Sequence, residues 1–262
     1  MKNHFQSSVN SGPFEVKLLR IKAEEASVKS TDKVTLQYCH LSEDKQSFSF
    51  PDKELLDSHR VVITTTTMAG HLHDLKLPIG YFTHILIDEA SQMLECEALM
   101  PLGLAGPNTR VVLAGDHMQM GPKLFSVDVH QRSNHTLLNR LFHYYQGHHS
   151  DTASKSRIIF NENFRSTKEI VEFVSTHFYV GRSDVIKAVG NVPSHPSGHS
   201  LKFHHVRGEC ELDTTSMSWF NVEEVAKVVE IVEDLLRDWP STWGPSDPSS
   251  ICVLSEGHQV HF

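Results

Sequence analysis

Two adjacent carboxylates, Asp88 and Glu89, close the apolar run His84-Ile85-Leu86-Ile87 and open onto Ala90-Ser91. Such a run predicts a buried strand, so the pair is expected at a strand end. A strand-end Asp can hold Mg²⁺ on a triphosphate. The carboxylate beside it can orient or deprotonate an attacking water. Asp88 suits the first task and Glu89 the second. The bland alternative is an exposed acidic turn.

Two further segments carry residues of matching chemistry. Gly115-Asp116-His117-Met118-Gln119-Met120-Gly121-Pro122 follows the apolar Val111 to Ala114. An amide such as Gln119 can sense a γ-phosphate; the alternative is a plain Gly-Asp turn closed by Gly-Pro. Asn163-Phe164-Arg165-Ser166 follows Arg157 to Phe160. Arg165, from a second domain, can reach across a cleft and neutralise charge on a γ-phosphate. Phe164 can stack on an adenine. The same segment also reads as a helix start, with Ser166 or Thr167 as cap and Glu169 in the first turn. The two readings are compatible.

The elements that must position these residues alternate between strand and helix. Strand-like stretches are Val16 to Ile21, Val34 to Tyr38, Val61 to Ile63 with the threonines after it, Phe82 to Ile87, Arg110 to Ala114, Arg157 to Phe160, Leu201 to Val206 and Ile251 to Leu254. Helical patterns fall at Met68 to Leu75, Gln92 to Leu99, His135 to Tyr145, Lys168 to Phe178 and Val222 to Leu236, the last closed by Trp239-Pro240. Gly190 to Ser200 reads as a loop. This alternation predicts an α/β fold with a mostly parallel sheet, whose ligands sit at the carboxyl ends of strands. Residues 1–12 are expected to be disordered. The polar stretch Gly147 to Ser156 predicts a boundary between domains at 13–150 and 151–262.

Composition narrows the function classes. The chain has 262 residues and a net charge of −8, with no basic stripe of the kind that drives charge-led DNA binding. A protein that grips a strand by hydroxyls and backbone amides stays compatible with that charge. No apolar run reaches the roughly 18 residues of a membrane span, and the first residues lack a signal-peptide pattern. Cys39, Cys96, Cys210 and Cys252 form no CxxC pair, which favours a reduced cytosolic or nuclear setting over a disulfide framework. The 19 histidines are dispersed; His71/His73, His148/His149 and His204/His205 lack neighbouring ligands at metal spacing and are read as solvated. Trp219, Trp239, Trp243 and most phenylalanines are read as core.

Together the motifs resemble superfamily 1 helicases. Asp88-Glu89-Ala90-Ser91 looks like motif II, and Gly115 to Pro122 looks like motif III of the Upf-one-like group. Asn163-Phe164-Arg165 is similar to that group's Asn-Tyr-Arg motif. Phe82 to Gln92 with Glu95-Cys96-Glu97 and Met100-Pro101-Leu102, and Trp239-Pro240 with Trp243-Gly244, resemble the helicase-with-zinc-finger branch. The resemblance implies an α/β, RecA-like P-loop NTPase fold with one near-complete and one partial domain. It implies ATP and Mg²⁺ as cofactors and single-stranded RNA or DNA as partner, in the cytoplasm or nucleus. Asp88 is then the metal ligand, and Glu89, Gln119 and Arg165 are catalytic. Asp88, Asp116 and Phe164 contact the nucleotide.

The resemblance also puts Thr64 to Thr67 near motif Ic, with Thr65, Thr66 and Thr67 on the nucleic-acid backbone; β propensity explains the same threonines equally. Departures from the family pattern are Phe164 for Tyr, Met120 for Leu, and Ser255-Glu256-Gly257 where Thr-Pro-Tyr is common. The phosphate-cradling Gly-x-x-x-x-Gly-Lys-Ser/Thr occurs nowhere in the 262 residues. The chain is therefore expected to be a helicase fragment lacking motifs I, V and VI and inactive by itself. The rival expectations are a non-enzymatic scaffold module of the transcriptional-coactivator kind, and a piece with no independent fold.

Overall fold

The computed structural model describes residues 17–126, 128, 135–179, 186–193, 198, 200–215 and 217–255. They form two compact units that divide between Arg157 and Ile158.

The first unit opens with β1 (Leu18–Arg20), then the short helices α1 (Lys33–Leu36) and α2 (Lys53–Asp57). Strand β2 (Val61–Ile63) pairs with β1 in parallel. Helix α3 (Thr66–His71) runs into a 3₁₀ turn over Leu72–Leu75. Next come β3 (His84–Ile87), α4 (Glu95–Leu102) and β4 (Arg110–Leu113), with β3 and β4 parallel and Ile87 opposite Leu113. Helices α5 (Leu137–Gly147) and α6 (Asp151–Lys155) complete the unit.

Two buried clusters hold it together. Leu19, Ile21, Leu56, Met68 and Leu72 form one; Ile87, Ala90, Met93 and Ala98 form the other. The second lies directly beneath the acidic pair. Burial of such side chains supplies about 1.5–3 kcal/mol for each large residue.

The second unit contains β5 (Glu162–Asn163), α7 (Lys168–Phe178), β6 (Lys187–Ala188), the hairpin strands β7 (Cys210–Asp213) and β8 (Ser218–Asn221), and α8 (Val222–Arg237). Strands β5 and β6 are parallel, whereas β7 and β8 are antiparallel. Asn221 starts α8 by accepting the Glu223 and Glu224 N–H groups at 3.1 and 3.2 Å. Mixed helices and small parallel sheets match the α/β expectation.

Several elements differ from the sequence reading. Val34 to Tyr38 begins as helix, because Asp32 accepts from the Val34 and Thr35 N–H groups and so caps a turn. Thr65 to Thr67 continue no strand; Thr65 caps α3 and the next two residues open it. Arg157 to Phe160 has no regular structure. The ladder with β6 is made one step later, by the Asn161 and Asn163 carbonyls accepting from Lys187 and Val189. Leu201 to Val206 and Ile251 to Leu254 form no strand. The β7–β8 hairpin has no short-turn signature in the sequence, since the four residues 214–217 between Asp213 and Ser218 include neither Gly nor Asn. Strand β3 is buried on one face only: Ile85 and Ile87 meet the core, whereas Leu86 is 73 % exposed. Strand alternation dictates this where helices cover a single face.

Candidate functional site

The carboxyl end of the β3–β4 pair gathers four of the candidate residues. Ile87 and Ala90, both buried, anchor the chain on either side of Asp88-Glu89. The Ala114 N–H donates to the Ile87 carbonyl, and the Ala90 N–H donates to the Ala114 carbonyl, both at 2.8 Å. These two bonds bracket the acidic pair and force it outward, as a bulge does. Glu89 absorbs the distortion with φ 53° and ψ 34°, a left-handed conformation that is uncommon for a non-glycine residue. Strain of this kind concentrates at functional sites. The Asp88 Oδ1 accepts from the Glu89 N–H at 3.0 Å, and the Gln92 amide donates to Glu89 Oε2 at 3.2 Å. Both carboxylates are exposed.

The loop after β4 is a turn built by its own aspartate. Asp116 accepts from the Met118 N–H and from the Gln119 side-chain amide, each at 2.9 Å. The Gln119 N–H donates to the Asp116 carbonyl at 3.1 Å. Gln119 is thus held by Asp116 and exposed.

Gly115 seats this turn on the acidic pair's own loop. A Cβ at position 115 would lie 2.8 Å from Leu138 Cδ2 and 2.9 Å from the Ser91 backbone nitrogen. Gly115→Ala must push backbone apart, and a cost of about 1–3 kcal/mol is expected. A thermal melt of the chain checks this; an unchanged midpoint contradicts the close seating.

A further tie joins the elements that follow each loop. The Leu94 N–H donates to Glu97 at 2.8 Å and starts α4. Arg140 of α5 donates through Nε to Glu95 at 3.0 Å, and a second, shorter bond links the same pair. That guanidinium holds the Glu95 carboxyl below the usual carboxylate range. A depressed folded value means the pair contributes fully above the unfolded carboxylate pKa and loses its contribution as pH falls through the folded value. Wild type should therefore lose stability on acidification more than Glu95→Gln does. Melting curves from pH 7 down to pH 3 test this, and parallel pH profiles would refute it.

In the second unit, Asn163 ends β5 and organises the turn after it. Its Oδ1 accepts from the Arg165 N–H at 3.0 Å and the Ser166 N–H at 2.9 Å. Phe164 and Arg165 are exposed. Gly190 passes so close that a Cβ there would meet the Phe164 carbonyl oxygen at 2.2 Å. Thr167 takes the N-cap position of α7 but makes no side-chain capping bond.

The threonine group sits apart from these loops in the sequence of elements. The Thr65 hydroxyl accepts from the Met68 N–H at 3.4 Å, and Thr66 and Thr67 form the first turn of α3. Helix α3 packs on α4: a Cβ at Gly70 would touch the Met100 sulfur at 3.2 Å, and the His73 imidazole Nε2 lies 2.9 Å from the Met100 carbonyl.

Of the candidates, Asp88, Glu89, Asp116 and Gln119 share one strand-pair edge. Thr65 to Thr67 belong to the same unit, and Phe164 and Arg165 to the other. The sequence places Gly115 and Asn163 within their motifs and Gly190 within a loop, but does not mark any of the three as a positioning residue. The only hint is at Asn163, an Asn placed two residues ahead of an N–H donor turn.

Comparison with known proteins gives two family matches, each described as an AAA domain, over residues 13–127 and 134–261. The chain is 48 % identical over 260 residues to the human protein named 3'-5' exoribonuclease HELZ2, covering 99 % of the chain and 9 % of that protein. It is 40 % identical over 256 residues to the human protein named "Probable helicase with zinc finger domain", covering 97 % of the chain and 13 % of that protein. It is 33 % identical over 187 residues to mouse RNA helicase Mov10l1, covering 65 % of the chain and 16 % of that protein. The chain thus spans about a tenth of the length of the first two relatives.

Proposed function

The chain belongs to the superfamily 1, Upf-one-like helicases, in the helicase-with-zinc-finger branch and with their RecA-like fold, and on that premise we propose that it carries the hydrolytic end of an ATP-driven motor on single-stranded RNA or DNA. The observation that carries this reading is the extruded Asp88-Glu89 pair, with left-handed Glu89, on which the Asp116–Gln119 turn is seated through Gly115.

The residues fit Mg²⁺ as a partner. Mg²⁺ takes hard oxygen ligands, typically one or two carboxylates plus phosphate oxygens, and Asp88 offers an exposed carboxylate at a strand end. Asp88 would hold the ion, which neutralises charge on the β- and γ-phosphates when bound. Glu89 takes the proton of the attacking water. Gln119 contacts the γ-phosphate, with Asp116 fixing its amide. Phe164 stacks on the adenine, and Arg165 neutralises charge developing on the transferred group. Thr65, Thr66 and Thr67 bind a strand's phosphates by hydroxyl and backbone N–H groups. Such a protein works in the cytoplasm or nucleus; among the described residues no helix is long and apolar enough to cross a membrane.

The 262 residues contain no Gly-x-x-x-x-Gly-Lys-Ser/Thr loop. That loop supplies the N–H cradle and the lysine for the phosphates. The purified 262-residue chain is accordingly expected to turn over ATP at background. Placed behind a phosphate-loop segment of the Gly-x-x-x-x-Gly-Lys-Ser/Thr type, the same residues should hydrolyse ATP when single-stranded RNA or DNA is added. A hybrid that binds ATP without turnover sinks the reading, and so does turnover by the 262-residue chain that Glu89→Gln abolishes.

A further inference from the structure

His117 of the Asp116–Gln119 turn does not point into solvent alone. Its ring stacks on Phe142 of α5, with centroids 4.6 Å apart and planes 22° from parallel. The Arg157 guanidinium carbon lies 5.1 Å from the centroid of the same Phe142 ring. Arg157 is the last residue of the first unit, where the chain passes into the second. One aromatic ring therefore touches both the loop carrying Gln119 and the residue at the junction.

The chemistry of the three groups makes this a preferred contact. Stacked aromatic pairs favour centroid separations of about 4.5–7 Å, and a guanidinium within about 6 Å of a ring centroid is attracted by the ring's quadrupole. The ring is carried on a helix that packs under the acidic loop, since Leu137 and Leu138 of the same helix join the cluster of Ile87 and Ala90. Phe142 is thus mounted on a rigid element, and both its partners are on loops.

We propose that Phe142 is a positioning residue that links the γ-phosphate-sensing turn to the inter-unit junction through a His117–Phe142–Arg157 stack. Movement of the Gln119 turn shifts His117, the stack transmits it to Arg157, and the path of the chain into the second unit responds. The structural half of the link stands by itself; its use in coupling rests on the proposed ATP-driven reading.

Arg157 is itself a tryptic site, so the link can be read without any activity. The 262-residue chain is digested with limiting trypsin, and cleavage after Arg157 is followed by mass spectrometry against cleavage after Arg110. Phe142→Leu removes the ring and keeps an apolar side chain; Phe142→Tyr keeps the ring. A lost guanidinium–ring contact raises the opening rate by about two- to fivefold. Phe142→Leu should therefore speed cleavage after Arg157 by that factor with Arg110 unchanged, and Phe142→Tyr should restore the wild-type rate. Equal rates after Arg157 in all three, or a rise at both sites alike, overturn the link. In the phosphate-loop hybrid, Phe142→Leu should keep the KM for ATP and lower the stimulation of kcat by single strands. If that stimulation is unchanged while Glu89→Gln still abolishes turnover, the coupling role fails and the ATPase reading survives. If the wild-type hybrid has no turnover, the reading fails with its coupling role, and the tryptic comparison decides the physical link.

Discussion

Arg165→Ala is expected to lower ATP turnover by about 10³–10⁵-fold in the phosphate-loop hybrid, the range found where an arginine finger is removed. In the proposed finger role the loss should fall on kcat, with KM for ATP little changed, because such a guanidinium acts on charge that develops only in the transition state. The Asn163 side chain fixes the backbone of this turn at Arg165 and Ser166. The arginine side chain is exposed, so its removal leaves no cavity. Melting of the second unit should therefore be unaffected, and a lost melting transition would reassign Arg165 to structure. Arg165→Lys should rescue poorly, since an ammonium cannot reproduce the planar fork of a guanidinium. Steady-state kinetics on the three proteins decide it; an Arg165→Ala enzyme within tenfold of wild type contradicts the finger role.

Glu89→Gln is expected to lower turnover by about 10²–10⁴-fold, the usual contribution of a positioned general base. Glutamine keeps the size and the hydrogen bond to Gln92 but cannot take a proton. The left-handed backbone at position 89 comes from the bracketing bonds to Ala114 and not from the carboxylate, so the substitution should leave the loop in place. Nucleotide binding should stay within a few-fold of wild type. Asp88→Asn gives a different signature, weaker Mg²⁺-dependent binding along with slower turnover, because a neutral amide is a poorer ligand for a hard cation.

The acidic pair, the Gln119 turn and the Asn163-Phe164-Arg165 segment were legible in the sequence because each couples a short apolar run to a distinctive polar cluster. Long helices were legible too: Lys168–Phe178 and Val222–Arg237 carry clear apolar stripes. What escaped depends on long-range pairing. Arg157 to Phe160 is more strand-like in composition than Glu162–Asn163, yet the register with Lys187–Ala188 favours the latter. The threonines after Ile63 have β-branched side chains, but the Thr65 hydroxyl is better used as a helix cap. Gly115 and Gly190 look like ordinary turn glycines; their requirement for a missing Cβ comes from backbone that approaches from far along the chain. Glu95 and Arg140 lie 45 residues apart, and Phe142 lies 25 residues from His117 and 15 from Arg157, so these contacts are likewise invisible to spacing.

The central claim is that the loop bracketed by Ala114 hydrolyses the nucleotide. Its most direct test is the identity of the bound nucleotide after one incubation of the phosphate-loop hybrid with ATP, Mg²⁺ and single-stranded RNA. Wild type should yield ADP, and Glu89→Gln should retain ATP at comparable occupancy. Recovery of ADP from Glu89→Gln at the wild-type rate would contradict the account.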